Sequence, residues 1–118
     1  MNKVALGLVV GGILGAVDGL SALVSAPETQ PQIVGIVIGS TIKGIIAGVL
    51  IGWFARKVSS VTAGVVFGFF VGLVLAFLVA LMPDESGKHY WWQIMLPGSI
   101  VGLIVGYATQ RYGAVARA

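Results

Sequence analysis

The sequence predicts an all-α membrane protein with four transmembrane helices, and three observations lead to that prediction. Hydrophobic residues make up 58% of the 118-residue chain and charged residues only 9%, whereas a soluble domain carries roughly 25% charged residues. A soluble fold of this size exposes much of its surface and could not hide so many apolar side chains. The apolar residues form four long stretches, and these lack the polar–apolar alternation of barrel strands.

Each stretch is about as long as a helix that crosses ~30 Å of hydrocarbon. The stretches cover residues 4–26, 32–55, 61–82 and 90–110, approximately. They are separated by a turn with two prolines, a short basic link and a polar turn, at residues 26–31, 56–60 and 83–88. Because such short links join neighbouring helices, we expect consecutive helices to be antiparallel and residues 1–118 to form a single domain.

The basic residues predict the orientation of the chain in the membrane. On one side of the membrane we expect Lys3, Arg56, Lys57, Arg111 and Arg117. On the other side we expect Lys88 together with Glu28, Asp84 and Glu85. Lys and Arg concentrate in cytoplasmic loops, so we expect a multi-pass protein of the cell inner (plasma) membrane with both termini in the cytoplasm. Aromatic residues anchor helices at membrane interfaces, and we expect this role for Trp53 inside and for Tyr90, Trp91 and Trp92 outside.

Glycines recur every four residues in all four predicted helices. They are Gly7, Gly11, Gly15 and Gly19; Gly44, Gly48 and Gly52; Gly64, Gly68 and Gly72; and Gly98, Gly102 and Gly106. Residues four apart share a helix face, and a stripe of small residues lets two helix backbones approach closely in lipid. The pattern predicts glycine-zipper packing, either within the chain or between copies in a homo-oligomer or larger membrane complex.

The stripes also predict an internal repeat. A shift of 57 residues superposes Gly7, Gly11 and Gly15 on the three stripe glycines of the third helix, and a shift of 54 superposes the stripe of the second helix on that of the fourth. The chain therefore divides into two helical hairpins, about 3–57 and 60–112, in the same orientation. Parallel repeats of this kind occur in some transporters.

Asp18 and Lys43 are the formal charges well inside the predicted spans. Each costs about 2.5–3.5 kcal/mol at a bilayer centre and normally faces a bundle interior, where it finds a partner. Lys43 continues a stripe with Gly35, Gly39 and Ala47, and Asp18 shares a face with Gly11, Gly15, Ala22 and Ser25. We therefore expect both charges to lie where helices meet. Three interpretations stay open: a neutral pair that fixes helix register, a relay or substrate contact, or snorkelling without a partner. The nearby polar residues are Ser21, Ser40, Thr41 and Gln93.

Composition excludes several functions. The chain has no cysteine and one histidine, His89, so thiolate chemistry and a histidine cluster for a metal are excluded, and we expect no cofactor. The sequence lacks the basic patch on a recognisable fold that would indicate nucleic-acid binding. It also lacks a catalytic motif that would indicate an enzyme. We expect an oligomeric channel or transporter for an ion or small solute. The alternative is a non-catalytic accessory subunit that docks through its glycine faces, and a solvent path to Asp18 would favour transport.

Overall fold

The computed structural model describes residues 2–81, 87 and 89–113, and the elements within these ranges are helices. They are α1 (Lys3–Leu20), α2 (Ala22–Ser25), a 3-10 helix (Pro27–Gln32), α3 (Ile33–Lys57), α4 (Val61–Ala80) and α5 (Trp91–Tyr112). They form four segments that are long and apolar enough to cross a membrane: Lys3–Ser25, Pro27–Lys57, Val61–Ala80 and Trp91–Tyr112. The all-α class and the four spans are therefore as the sequence predicts.

Local hydrogen bonds explain where two of the helices begin and where the first span is interrupted. The side chains of Asn2 and Ser60 accept from the amides of Ala5 (2.7 Å) and Ala63 (3.2 Å), so they cap α1 and α4. Ser21 separates α1 from α2 and donates its hydroxyl to the carbonyl of its own helix at Asp18, a local bond that competes with regular helix geometry. The predicted polar turn at 83–88 lies outside the described residues, apart from Gly87.

The helices pack as two antiparallel hairpins. The closest neighbours are α1 with α3 and α4 with α5, and the hairpins meet where α5 contacts α1 and α3 and where α3 contacts α4. The bundle has two ends, which we name the terminal end and the 3-10 end. The terminal end carries the start of α1, the 58–60 link and the end of α5. The 3-10 end carries the 3-10 helix and the start of α5.

Within each hairpin, facing glycines leave no room for side chains. A Cβ built on Gly48 would overlap the carbonyl oxygen of Gly7, and one on Gly11 would overlap that of Gly44. In the second hairpin, a Cβ built on Gly68 would overlap the carbonyl oxygen of Gly102, and one on Gly102 would overlap that of Gly68. At these positions the two backbones of a hairpin lie in direct contact.

Large side chains fill the terminal half of the bundle between the hairpins. Ile51, Val105 and Thr109 are completely buried, and the Thr109 hydroxyl donates to the Val105 carbonyl at 2.8 Å. Phe54 stacks on Phe67 across the two hairpins with a ring-centroid distance of 4.1 Å. This half of the bundle is a packed core.

Two polar side chains tie the terminal end together. Lys3 is only 4% exposed, and its ammonium donates to the Ala55 carbonyl in the last turn of α3 at 2.9 Å, where a cation opposes the helix dipole. The Gln110 amide donates to the Val58 carbonyl at 2.6 Å and accepts from the Ser60 amide at 3.2 Å. Lys3 thus lies at the predicted end of the bundle, but inside it and not on its surface.

The outer surface is apolar along the helices and aromatic at both ends. Aliphatic and phenylalanine side chains such as Ile13, Val34 and Phe70 are more than half exposed, which suits contact with lipid. Trp53 at the terminal end and Trp92 at the 3-10 end are also exposed. Tyr90, which the sequence grouped with these anchors, is 8% exposed and turns into the bundle.

Candidate functional site

The two intramembrane charges meet within one chain. The Lys43 ammonium lies 3.2 Å from Oδ2 of Asp18, and the two side chains are 13% and 7% exposed. Asp18 is near the end of α1 and Lys43 is near the middle of α3, so the antiparallel hairpin brings their helix faces together while leaving them at different depths. The flexible lysine stem spans that difference.

A hydroxyl completes the pair, and only some of the predicted polar neighbours join it. The Ser40 hydroxyl, one turn before Lys43 on α3, donates to the same Oδ2 of Asp18 at 3.3 Å. Ser21 donates to the Asp18 backbone carbonyl, and Thr41 donates to the Val37 carbonyl at 2.7 Å. These two hydroxyls satisfy their own helices, as such groups commonly do, and do not reach the charges.

Among the described residues, neither partner of the ion pair uses its full hydrogen-bonding capacity. In the described part of the chain, both side-chain bonds to Asp18 end on Oδ2. No buried side-chain oxygen or nitrogen there lacks a partner, so Oδ1 lies in an accessible position. The Lys43 ammonium has three N–H groups, and among the described residues it donates to the Asp18 carboxylate alone. An acceptor and donors thus stand side by side.

Asp18 and Lys43 both line a cleft of about 500 Å³ that runs from the 3-10 end to the ion pair. All four spans contribute to its wall. It is lined by Asp18, Gly19, Ala22, Ala26, Thr29, Gln32, Gly35, Ile36, Gly39, Ser40, Lys43, Val79, Tyr90, Gln93 and Ile94. From Gly35 to Lys43 the wall follows α3 for about 12 Å. The cleft is mostly apolar, and its charged groups lie at the limit furthest from the 3-10 end. Asp18 also lines a second, apolar cavity of about 300 Å³ between α1 and α5.

Two glycines of α3 shape the cleft and do not pack against a helix. A Cβ built on Gly35 or Gly39 would meet nothing within 4 Å. The expectation that this face of α3 lies at a helix contact is therefore wrong for these two glycines, although Ala47 on the same line is buried. The reason is the path of α1, whose Gly19 rests on Val37 and Ser40. The face of α3 that carries these two glycines therefore lies beside α1 and borders the open cleft.

Beyond the ion pair, towards the terminal end, the bundle closes. Ala47 is buried beneath Lys43 on α3 and begins the packed core with Ile51 and Val105. The ammonium of Lys43 also lies 3.5 Å from the position of a Cβ on Gly98, so α5 approaches it closely. Among the described residues, the cleft is therefore a vestibule with a floor and not a continuous pore.

Sequence reasoning identified the charges, Ser40 and Gln93 as polar residues of the site, but it did not identify the cleft. Thr29 was assigned to a turn, Gln32 to the start of the second span and Tyr90 to an interface, because sequence gives no sign that a turn folds over a cavity. A signal did exist for the glycines, since Gly35 and Gly39 precede Lys43 by two turns and one turn on its own face. They were assigned to packing because that is the commoner role of membrane glycines.

The chemistry of the cleft is that of binding through charges and hydrogen bonds. In residues 2–81, 87 and 89–113, no group of three or more His, Asp or Glu side chains could hold a metal ion. The ion pair has no net charge, the Ser40 hydroxyl bonds to it, and Gln32 and Gln93 line the same cleft. No protein-family model matches the sequence, and no curated protein or solved structure is significantly similar to it.

Proposed function

We propose that the protein is a membrane transporter for a small solute that enters the cleft and is held at the Asp18–Lys43 pair. The observation that carries the proposal is that both residues of the pair line the cleft, and that among the described residues neither uses its full hydrogen-bonding capacity. A pair that served only to fix helix register would gain from being dry and fully bonded, because unsatisfied polar groups weaken a buried contact. An open cavity at intramembrane charges fits a solute site better.

The floor of the cleft favours a carrier over an open channel. The packed core around Ile51, Val105 and Thr109 separates the ion pair from the terminal end. A solute bound at the pair could continue only if the hairpins rearranged. Access from one side at a time is how transporters built from repeated units work.

The finer architecture is part of this proposal. We infer that the hairpins are parallel repeats packed through their glycine stripes. Gly7 contacts Gly48 in the first hairpin, and Gly64 contacts Gly106 in the second. By these contacts α1 corresponds to α4 with a shift of 57 residues, and α3 corresponds to α5 with a shift of 58. The offset for the second pair of helices is thus 58, one turn from the 54 that the sequence alone suggested. Lys43 then corresponds to Val101, and the charged site belongs to one repeat only.

The basic residues at the terminal end support a cytoplasmic location for that end in an inner membrane. In this orientation the cleft opens to the outside. Assembly as a homo-oligomer is compatible with the apolar surface, and the cleft itself is formed by one chain. The solute would therefore bind within each copy.

Transport can be tested by uptake into proteoliposomes with a panel of labelled amino acids, organic acids, amines and sugars. Two variants are compared with the wild type. Asp18→Asn removes the negative charge, and Gly39→Leu places a large side chain in the cleft at a position where a Cβ meets nothing within 4 Å. We expect the wild type to take up at least one class of solute and both variants to take up at most a tenth as much. Ile38→Leu, at a side chain that is 55% exposed on the same helix, should transport normally.

Two results would contradict the proposal. The first is a wild-type protein that takes up no class of solute. The second is uptake that Gly39→Leu leaves unchanged. Either result would favour an accessory subunit that docks on other membrane proteins.

Solvent access to the cleft can be measured separately, because the chain contains no native cysteine. A cysteine at Gly39 should react with a membrane-impermeant thiol reagent from the side on which the cleft opens. A cysteine at Ile38 faces outward into the apolar surface and should be protected. Equal protection of both positions would mean that the cleft is closed to water.

A further inference from the structure

We propose that the solute is a small zwitterion with an apolar body, of the class represented by apolar amino acids. The inference rests on the proposed transport function and assigns its substrate class. It comes from the charge balance of the ion pair, from the groups that the pair leaves unbonded, and from the walls of the cleft.

Charge balance favours a ligand with no net charge. Asp18 and Lys43 neutralise each other, and they lie 7% and 13% exposed in an apolar bundle. A bound anion or cation would leave one uncompensated charge in this environment, which is costly. A zwitterion adds one charge of each sign, so the site remains neutral when it is occupied.

The unbonded groups match the two ends of a zwitterion. Among the described residues, Oδ1 of Asp18 accepts no side-chain bond and is not buried, and the ammonium of Lys43 has N–H groups beyond the one directed at Asp18. A ligand carboxylate can accept from Lys43 while the ligand ammonium donates to Asp18. The four charged groups then alternate in sign, and each bond is a charge-assisted hydrogen bond. The protein pair does not have to separate.

The walls match an apolar body. Ile36, Val79 and Ile94 face the cleft from three different helices, and Gly35 and Gly39 leave space beside them. A volume of about 500 Å³ is within the usual range for small-molecule sites. The solute would bury its side chain towards the 3-10 end and its charged groups at the floor.

Four probes with one phenyl body test this charge requirement on the wild-type protein. They are L-phenylalanine, 3-phenylpropionate, phenethylamine and 3-phenylpropanamide, which are zwitterionic, anionic, cationic and neutral. Binding to purified protein in detergent is measured by titration calorimetry. We expect L-phenylalanine to bind at least tenfold more tightly than each of the other three. Since this comparison needs no variant, it does not depend on the folding of a mutated protein.

Three variants locate the bound zwitterion. Asp18→Asn and Lys43→Met should each weaken binding of L-phenylalanine at least tenfold. Gly39→Leu keeps both charges and should abolish binding by filling the cleft, while the thermal midpoint stays at or above that of the wild type. Ile38→Leu is the matched control and should bind normally.

The proposal is overturned if one of the three other probes binds as tightly as L-phenylalanine, if none of the four binds, or if Gly39→Leu still binds it. These results are distinct from failure of the transport function, which the solute panel decides. Uptake of only a sugar or an organic acid would retain the transporter and reject the zwitterion. Uptake of no solute would reject both.

Discussion

Two glycines on α3 provide a sharp test of how the bundle is packed, because they differ only in what surrounds them. A Cβ on Gly48 would overlap the carbonyl oxygen of Gly7 and lie 2.5 Å from its carbon, whereas a Cβ on Gly39 would meet nothing within 4 Å. Both residues are inside the same helix, so the intrinsic effect of replacing glycine by alanine is the same for both. Any difference between the variants therefore reports the helix contact.

The expected free energies follow from two opposing terms. Alanine favours a helix over glycine by about 1 kcal/mol, and this gain applies to both positions. Overpacking a close contact costs about 1–3 kcal/mol, and this cost applies only to Gly48. We therefore expect Gly39→Ala to raise the free energy of unfolding by about 0.5–1 kcal/mol. Gly48→Ala should lower it by up to about 2 kcal/mol, since the helices must move apart.

The assay is reversible unfolding of the purified protein in mixed detergent micelles, followed by circular dichroism. Ile38→Ala, on the exposed side of α3, controls for the loss of an apolar side chain without a helix contact. If Gly48→Ala were as stable as Gly39→Ala, α1 and α3 would not be in backbone contact, and the proposed glycine packing would be wrong.

Three further predictions concern the charged residues and the orientation of the chain. Asp18→Asn and Lys43→Met should show a coupling energy of about 2 kcal/mol in a double-mutant cycle, between the values typical of exposed and of buried pairs; additive effects would mean that the two groups do not interact. Lys3→Met should lower the free energy of unfolding by about 1–2 kcal/mol, because the Ala55 carbonyl loses its partner, whereas the exposed Lys57→Met should have little effect. Reporter fusions at the C-terminus and in the 3-10 helix should place them in the cytoplasm and outside it, respectively; the reverse result would overturn the orientation.

The helices could be predicted from sequence because lipid imposes a simple rule. A span must be long and apolar, and polar residues must lie near its ends. The predicted boundaries accordingly fall within a few residues of those observed, such as 61–82 for α4 (Val61–Ala80). Helix α3 extends two residues further than predicted, to Lys57, because its basic last turn can remain helical at an interface.

The site could be predicted only in part, because sequence records which residues share a face but not what lies opposite that face. Asp18 and Lys43 were identifiable from their cost in lipid. Gly39 and Gly48 look alike in the sequence, yet one borders a cavity and the other a backbone. Lys3 resembles any basic residue at a helix start, and only the fold shows its bond to the Ala55 carbonyl.

The unequal closeness of the helices limits how the molecule can move. Backbone contact along Gly7–Gly48 and Gly64–Gly106 holds each hairpin as a unit, whereas the hairpins touch each other through side chains such as Phe54 and Phe67. Aromatic and branched side chains can repack by changing rotamer, but touching backbones cannot slide past one another without steric overlap. We therefore expect the two hairpins to move as rigid bodies about the 58–60 link. Rotation of one hairpin about that link would change the width of the vestibule, while the structure within each hairpin stayed the same.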